Sequence, residues 1–236
     1  MLEHGHSQQE ITKRIGAPRG RGLLRDAVYG AIDGAVTTFA IVAGVAGAGL
    51  SPFVIVALGI ANVLADGFSM AAANYAGTKA ELDNIERLRS IEEFHILNHP
   101  DGERLEVQEI LAQKGLSGDV LIQATNAITG NRQNWINFMM EGEYGIGSVD
   151  PHPARAAIAT FLSFLVAGSI PLIPFVVGMN NAFSISAAAT LLVFFAIGAT
   201  KSIWSLNSWW RSAFETLLIG GAAALIAYYV GALFHS

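Results

Sequence analysis

The sequence predicts an all-α membrane protein: five transmembrane helices, with a cytoplasmic helical insert between helices 2 and 3. Three observations carry this. Only 14% of the 236 residues are charged and 52% are hydrophobic, whereas a soluble domain carries roughly 25% charged residues. The apolar residues gather in five runs, at about 26–48, 52–77, 154–177, 182–202 and 212–234, each long enough for the ~20 residues that cross a bilayer core. Between the second and third runs, residues 79–152 turn strongly acidic while keeping a helical pattern. The chain therefore divides into an N-terminal segment (1–25), helices 1–2 (26–78), the metal-binding insert (79–152) and helices 3–5 (153–236).

Residues 1–25 are polar and end in a basic cluster of Lys13, Arg14, Arg19, Arg21 and Arg25. They hold no apolar core of the kind a cleaved signal peptide needs. The loops GAGLSP and GMNNA carry no charge, whereas KSIWSLNSWWR carries Lys201 and Arg211. By the positive-inside rule the N-terminus, the insert and this last loop face the cytoplasm, and the C-terminus lies on the far side. Trp204, Trp209 and Trp210 fit an interfacial aromatic belt. The lack of a long targeting segment suggests a bacterial inner membrane, with a vacuolar-type membrane as the alternative.

The first two apolar runs contain residues that hydrocarbon does not tolerate. Asp26, Tyr29, Asp33 and Thr37 are spaced three, four and four apart, which makes one polar stripe on a helix. Asn62, Asp66, Met70 and Asn74 are spaced four apart and make a second. Intramembrane acids face a bundle interior or a cavity and mark ion paths. Asp33, Met70, Asp26 and Asp66 are therefore the candidate pore residues. Asp26 has a plainer reading beside it, a place at the cytoplasmic interface paired with Arg25. Gly30 and Gly34 form a G-x-x-x-G, which allows close helix packing and gives weak support for oligomerisation. Pro171 and Pro174 should bend the third segment.

The insert reads as helices over 79–95, 103–114, 117–129 and 131–143, broken at Asn98-His99-Pro100-Asp101-Gly102 and at Gly115. Asp101 and Ser117 are candidate N-caps. Its acidity attracts cations and repels nucleic acid. Glu103, Glu106 and Glu109 recur every three residues and are expected on one face, where like charges call for a counter-ion. Glu92 and His95 form an E-x-x-H pair like those of di-iron bundles. Met139 and Met140 lie within a turn of Glu143, placing soft sulfur beside hard oxygen. That mixture favours a transition ion over Ca²⁺ or Mg²⁺. Each element also has an ordinary reading: solvated acids, core methionines, a structural histidine. With no cysteine, thiolate sites are excluded. No nucleophile–base constellation and no phosphate loop points to a hydrolase or a kinase.

The runs DAVYGAIDGAVTTFAIVAGVAGAG and ANVLADGFSMAAANYAGTKAE, the insert ending NFMMEGE, and PLIPF in the third segment together resemble the vacuolar iron transporter family over about residues 25–234. The resemblance implies a homodimer that exports Fe²⁺ from the cytosol in exchange for protons, a transporter and not an enzyme. It implies a pore lined by Asp33 and Met70, with Asp26 earlier on the first helix. It implies a metal-binding insert using Glu103, Glu106, Met139, Met140 and Glu143, with Glu92 and His95 where relatives carry E-x-x-E. Where many relatives have G-E-Y after the S-M motif, this chain has Ala73-Asn74-Tyr75. The expected function is proton-coupled transport of Fe²⁺ or Mn²⁺ for iron homeostasis and detoxification, with Zn²⁺ and Co²⁺ as further candidate ions. No permanently bound cofactor is expected. The partners are metal ions, protons, the bilayer and a second copy of the chain, with no nucleic acid. Two other classes stay open: a membrane-anchored ferritin-like protein that binds or oxidises iron, for which the second E-x-x-H is missing, and a metal sensor.

Overall fold

A computed structural model describes residues 5–16, 19–20, 22–147, 149–202 and 208–234. The described chain is almost entirely helical. Its elements are α1 (Gln8–Gly16), α2 (Leu24–Gly47), α3 (Pro52–Asn98), α4 (Pro100–Gln113), α5 (Gly118–Thr129), α6 (Arg132–Gly142), α7 (Pro153–Ser169), α8 (Ile173–Val176), α9 (Ala182–Lys201) and α10 (Trp209–Ala232). Two two-residue strands, Arg19–Gly20 and Val149–Asp150, pair in parallel. Among the described residues, five stretches are long and apolar enough to cross a membrane: α2, the apolar part of α3, Pro153–Val176, α9 and α10. Large side chains such as Phe68, Leu192 and Leu218 are exposed on them, as they are on helices whose solvent is lipid.

The chain forms two compact units. One is Gly22–Thr78 with His152–Ser236, and the other is Met1–Arg21 with Lys79–Pro151.

In the first unit the helices meet at glycines. A Cβ on Gly30 would lie 2.2 Å from the Thr160 carbonyl oxygen, and one on Gly34 2.5 Å from that of Phe164. Gly168 returns the contact, its Cβ position 3.0 Å from the Gly34 oxygen. A Cβ on Gly231 of α10 would fall 2.1 Å from the Gly44 oxygen of α2. The G-x-x-x-G of α2 is thus used inside the chain, against α7, because bare Cα hydrogens let two backbones touch. It is not a surface for a second copy. Phe39, Val42, Ile55, Val63 and Leu172 form the apolar core above this seam. The third segment breaks as expected: α7 gives way to a 3₁₀ turn at Ile170–Leu172 before α8. The Pro171 carbonyl at the break accepts a 2.7 Å bond from Ser186 Oγ.

The second unit packs α4, α5 and α6 with residues 79–98 of α3. Ile96, Val107, Leu111, Trp135, Ile136, Met139 and Met140 are its core. Three local expectations need correction, and one helix was missed. α3 runs without a break from Pro52 to Asn98, because the change from apolar to charged side chains at Lys79 leaves backbone propensity intact. Asp101 does not cap α4. His99 holds that position with no side-chain cap bond, and Pro100 at N1 starts the helix one residue before Asp101. Ser117 sits at the N-cap of α5 in an extended conformation, again without a side-chain cap bond. The helix that the polar N-terminal segment contains, α1, went unpredicted. Its signal is the reciprocal capping pair of Ser7 and Glu10. Gly115 does stop α4. At φ +94° it closes a Schellman turn, with Leu116 N–H bonded to Leu111 O at 3.2 Å.

Candidate metal centre and cation path

In the insert unit, Glu92 and His95 come from the last turns of α3 and Glu103 from the first turn of α4. The sharp turn at Asn98–Pro100 folds these two helix ends together. Glu92 Oε, His95 N and Glu103 Oε atoms all lie within 4.8 Å of one another. His95 Nδ1 is 3.5 Å from Glu103 Oε1. Glu92 is wholly buried and Glu103 is 5% exposed. Both Glu92 oxygens and Glu103 Oε2 are buried without a hydrogen-bond donor. The two carboxyls are near enough to share one proton. When both are ionised, neither can donate.

Burial pushes the Glu92 carboxyl up to about 8, and the charges of Glu103, Glu143 and Glu106 add to the shift. Burial also raises Glu103, against a hydrogen bond to Glu92 and the nearby His95 that pull it down. Glu143, the C-cap of α6, is raised by burial and eased by a hydrogen bond from Tyr144. Buried carboxylates without donors are costly, and proton uptake or a bound cation removes the cost. Two carboxylates and an imidazole suit a divalent transition ion.

Not every predicted ligand stands equally in this cluster. Glu106 is exposed and Glu143 lies at its helix end, and both act on Glu92 through their charge. Glu109 is exposed and accepts from Gln113 Nε2 at 3.0 Å. It does not share the face of Glu103, because each three-residue step falls about 60° short of a full turn. Met139 and Met140 are buried among the apolar side chains of the core. Asn131, unremarked in the sequence, caps α6 by accepting from Asn134 N–H at 3.0 Å.

In the other unit the two polar stripes face each other as the spacing requires. Asn62, Asp66, Met70 and Asn74 are all half-buried. Asn62 Nδ2 donates to Thr37 Oγ1 at 3.2 Å and Thr38 Oγ1 at 3.3 Å. Asn74 Nδ2 donates to Asp26 Oδ1 at 3.0 Å. Between these bridges lie Asp33 and Asp66, one on each stripe and both half-buried. Asp26 is buried at 7% exposure, and its bond to Asn74 departs from the interfacial pairing with Arg25. Arg25 instead stacks on the Tyr29 ring, 5.5 Å from its centroid. Trp209 and Trp210 are exposed at the start of α10. Trp204 lies outside the described residues.

Span-length helices that carry paired acids, in a chain that also holds a buried carboxylate–imidazole cluster, define a membrane protein built to handle cations. The family model described as the VIT family matches residues 24–232, and the chain belongs to that family. It is 34% identical to Vacuolar iron transporter 1 of Arabidopsis thaliana over 231 residues, covering 97% of this chain and 89% of that protein. It is also 34% identical to Vacuolar iron transporter 1 of Eucalyptus grandis over 209 residues, covering 87% and 84%. A Vacuolar iron transporter of Toxoplasma gondii is 31% identical over 223 residues, covering 89% and 74%.

Proposed function

We propose that this chain is an iron transporter of the membrane, moving Fe²⁺ out of the cytosol in exchange for protons. The observation that carries the reading is the buried Glu92–His95–Glu103 cluster, whose donorless oxygens are chemically incomplete without a proton or a cation. The relatives named as vacuolar iron transporters supply the cargo. Their names do not support a bacterial inner membrane.

In this reading the five span-length helices cross the bilayer, with the N-terminus and the insert facing the cytosol, and the chain works as a homodimer. The insert captures the ion with Glu92, His95, Glu103, Glu106 and Glu143, and Met139 or Met140 supplies sulfur. Asp33, Asp66 and Met70 bind the partly dehydrated ion in the membrane, with Asp26 nearer the cytosol. Protons and M²⁺ compete for the same carboxylate oxygens, which couples one flux to the other. Mn²⁺ is the second candidate cargo, since carboxylate and imidazole hold it as well.

The test is anaerobic Fe²⁺ uptake into proteoliposomes under an imposed pH gradient. Uptake that rises with the gradient, and that collapses in Asp33→Ala, supports the proposal. Oxygen-dependent Fe²⁺ consumption without flux would instead mean a ferritin-like oxidase, and binding without flux would mean a sensor.

A further inference from the structure

Asn74, on α3, forms a fully used hydrogen-bonding node between three helices. Its Nδ2 donates to Asp26 Oδ1 on α2 at 3.0 Å and to Thr160 Oγ1 on α7 at 2.7 Å. Its Oδ1 accepts from Thr78 Oγ1 at 3.4 Å. Thr160 Oγ1 passes its own proton to the Asp26 carbonyl oxygen at 3.3 Å. Thr78 and Thr160 are buried with Asp26.

The orientation of the amide is set by chemistry. A carboxylate only accepts, so Nδ2 must face Asp26, and a hydroxyl that can donate stands on the other side. Both amide protons and the amide oxygen are thereby engaged. Thr160 holds the amide on one side and the Asp26 main chain on the other, so side chain and backbone of Asp26 are fixed through one node.

We propose that Asn74 is the positioning residue for Asp26. It locks the carboxylate in one orientation while adding no second negative charge at that level of the path. A carboxylate at position 74 would lack a proton to donate and would face Asp26 as a like charge. Two acids there would hold a divalent ion more tightly and release it more slowly. The amide leaves one oriented carboxylate, enough to attract the ion and weak enough to let it pass. This rests on the reading of Asp26 as part of the cation path.

The experiment measures Fe²⁺ uptake kinetics of the full chain in proteoliposomes, with Asp26→Asn, Asn74→Ala, Asn74→Asp, Thr160→Val and the double variant Asp26→Asn/Asn74→Ala. Asn74→Ala should raise KM roughly tenfold or more, the loss of one hydrogen bond to a charged group, with kcat within about twofold. Thr160→Val, which keeps the amide but removes its anchor, should move KM the same way by less. This second variant keeps the test decisive if Asn74→Ala is poorly folded. Asn74→Asp should lower both KM and kcat. On the Asp26→Asn background, Asn74→Ala should add nothing, because its effect passes through Asp26.

Asn74→Ala and Thr160→Val with wild-type KM, or penalties of Asn74 and Asp26 that simply add, would overturn the proposal. If Asp26→Asn alone transports with wild-type kinetics, Asp26 is not in the path and the positioning role falls with it. If the wild-type chain moves no Fe²⁺, it is the proposed function that has failed.

Discussion

Glu92 and Glu103 bring two carboxyl groups together in the insert, one wholly buried and the other nearly so, with three of their four oxygens lacking any donor. His95, on the same helix as Glu92, faces Glu103 Oε1 at 3.5 Å and leaves those three oxygens without a donor. The pair is stable with a proton between the two groups or with a cation across them, and the two solutions exclude each other.

The first consequence is a pH-dependent stability in the metal-free protein. Burial, with the charge of Glu103 next, raises Glu92 from 4.5 to about 8 on folding. The folded chain therefore binds the proton more tightly than the unfolded one, and stability must fall as pH rises. The contribution is fully present below pH 4.5 and lost as pH climbs through about 8. Thermal melts of the chelated full-length protein in detergent, from pH 5 to pH 9, should show Tm falling across that window. Glu92→Gln should flatten the curve. A wild-type Tm that is level or rising, like that of Glu92→Gln, would rule this out.

The second concerns metal affinity. Below about pH 8 an arriving ion must displace the proton on Glu92. Affinity for Fe²⁺ or Mn²⁺ should then rise with pH by up to about tenfold per unit, with roughly one proton released per ion. Anaerobic calorimetry in buffers of different ionisation enthalpy counts those protons. Glu92→Gln and Glu103→Gln should each lose most of the binding, whereas Glu109→Gln, outside the cluster, should lose none. Binding that ignores Glu92→Gln would place the site elsewhere.

In the membrane unit, Met70 is the only soft donor in the stripe it shares with Asn62, Asp66 and Asn74. Met70→Leu keeps its volume and removes the sulfur. Fe²⁺ transport should fall more than Mn²⁺ transport, since thioether favours the later ion. Competition between the two ions in proteoliposomes reads the ratio, and an unchanged ratio would remove sulfur from the path.

The seam between α2 and α7 makes a structural prediction. A methyl group at Gly34 would sit 2.5 Å from the Phe164 carbonyl oxygen. Gly34→Ala should therefore cost about 1–3 kcal/mol through overpacking, read as a lowered Tm in detergent. Gly77, with open space around its Cβ position, is the control, and Gly77→Ala should leave Tm level or raise it slightly. Equal effects at both sites would contradict the packing.

What the sequence made legible follows from how directly side-chain type encodes structure. Apolar runs reveal span-length helices because lipid leaves the backbone no other option. Gly115 and Pro171 act locally and could be placed from their own chemistry. The end of α3 at Asn98 could be placed in the same way, but its continuity through Lys79 could not, since side chains change there while the helix runs on. Glu92 and His95 were visible as an i,i+3 pair, but adding Glu103 depends on the angle of one turn, and dropping Glu109 depends on following helical phase over two steps. The bond from Asn74 to Asp26 spans 48 residues. It depends on the rotation of two helices about their axes, which no local pattern records.

The glycine seam also bears on how this chain can vary. Where α2 meets α7 and α10, at Gly30, Gly34, Gly47, Gly168 and Gly231, the side chain has already been reduced to a hydrogen. No smaller residue exists. At an ordinary core position a substitution can err towards too large or too small, and a neighbour can compensate in the opposite sense. Along this seam every change is an enlargement, and the opposing atoms are mostly backbone, which cannot be trimmed in return. Paired compensating substitutions, the usual route by which a packed interface drifts, are closed to these positions. The wall that carries Asp26 and Asp33 is thus held to glycine at these positions.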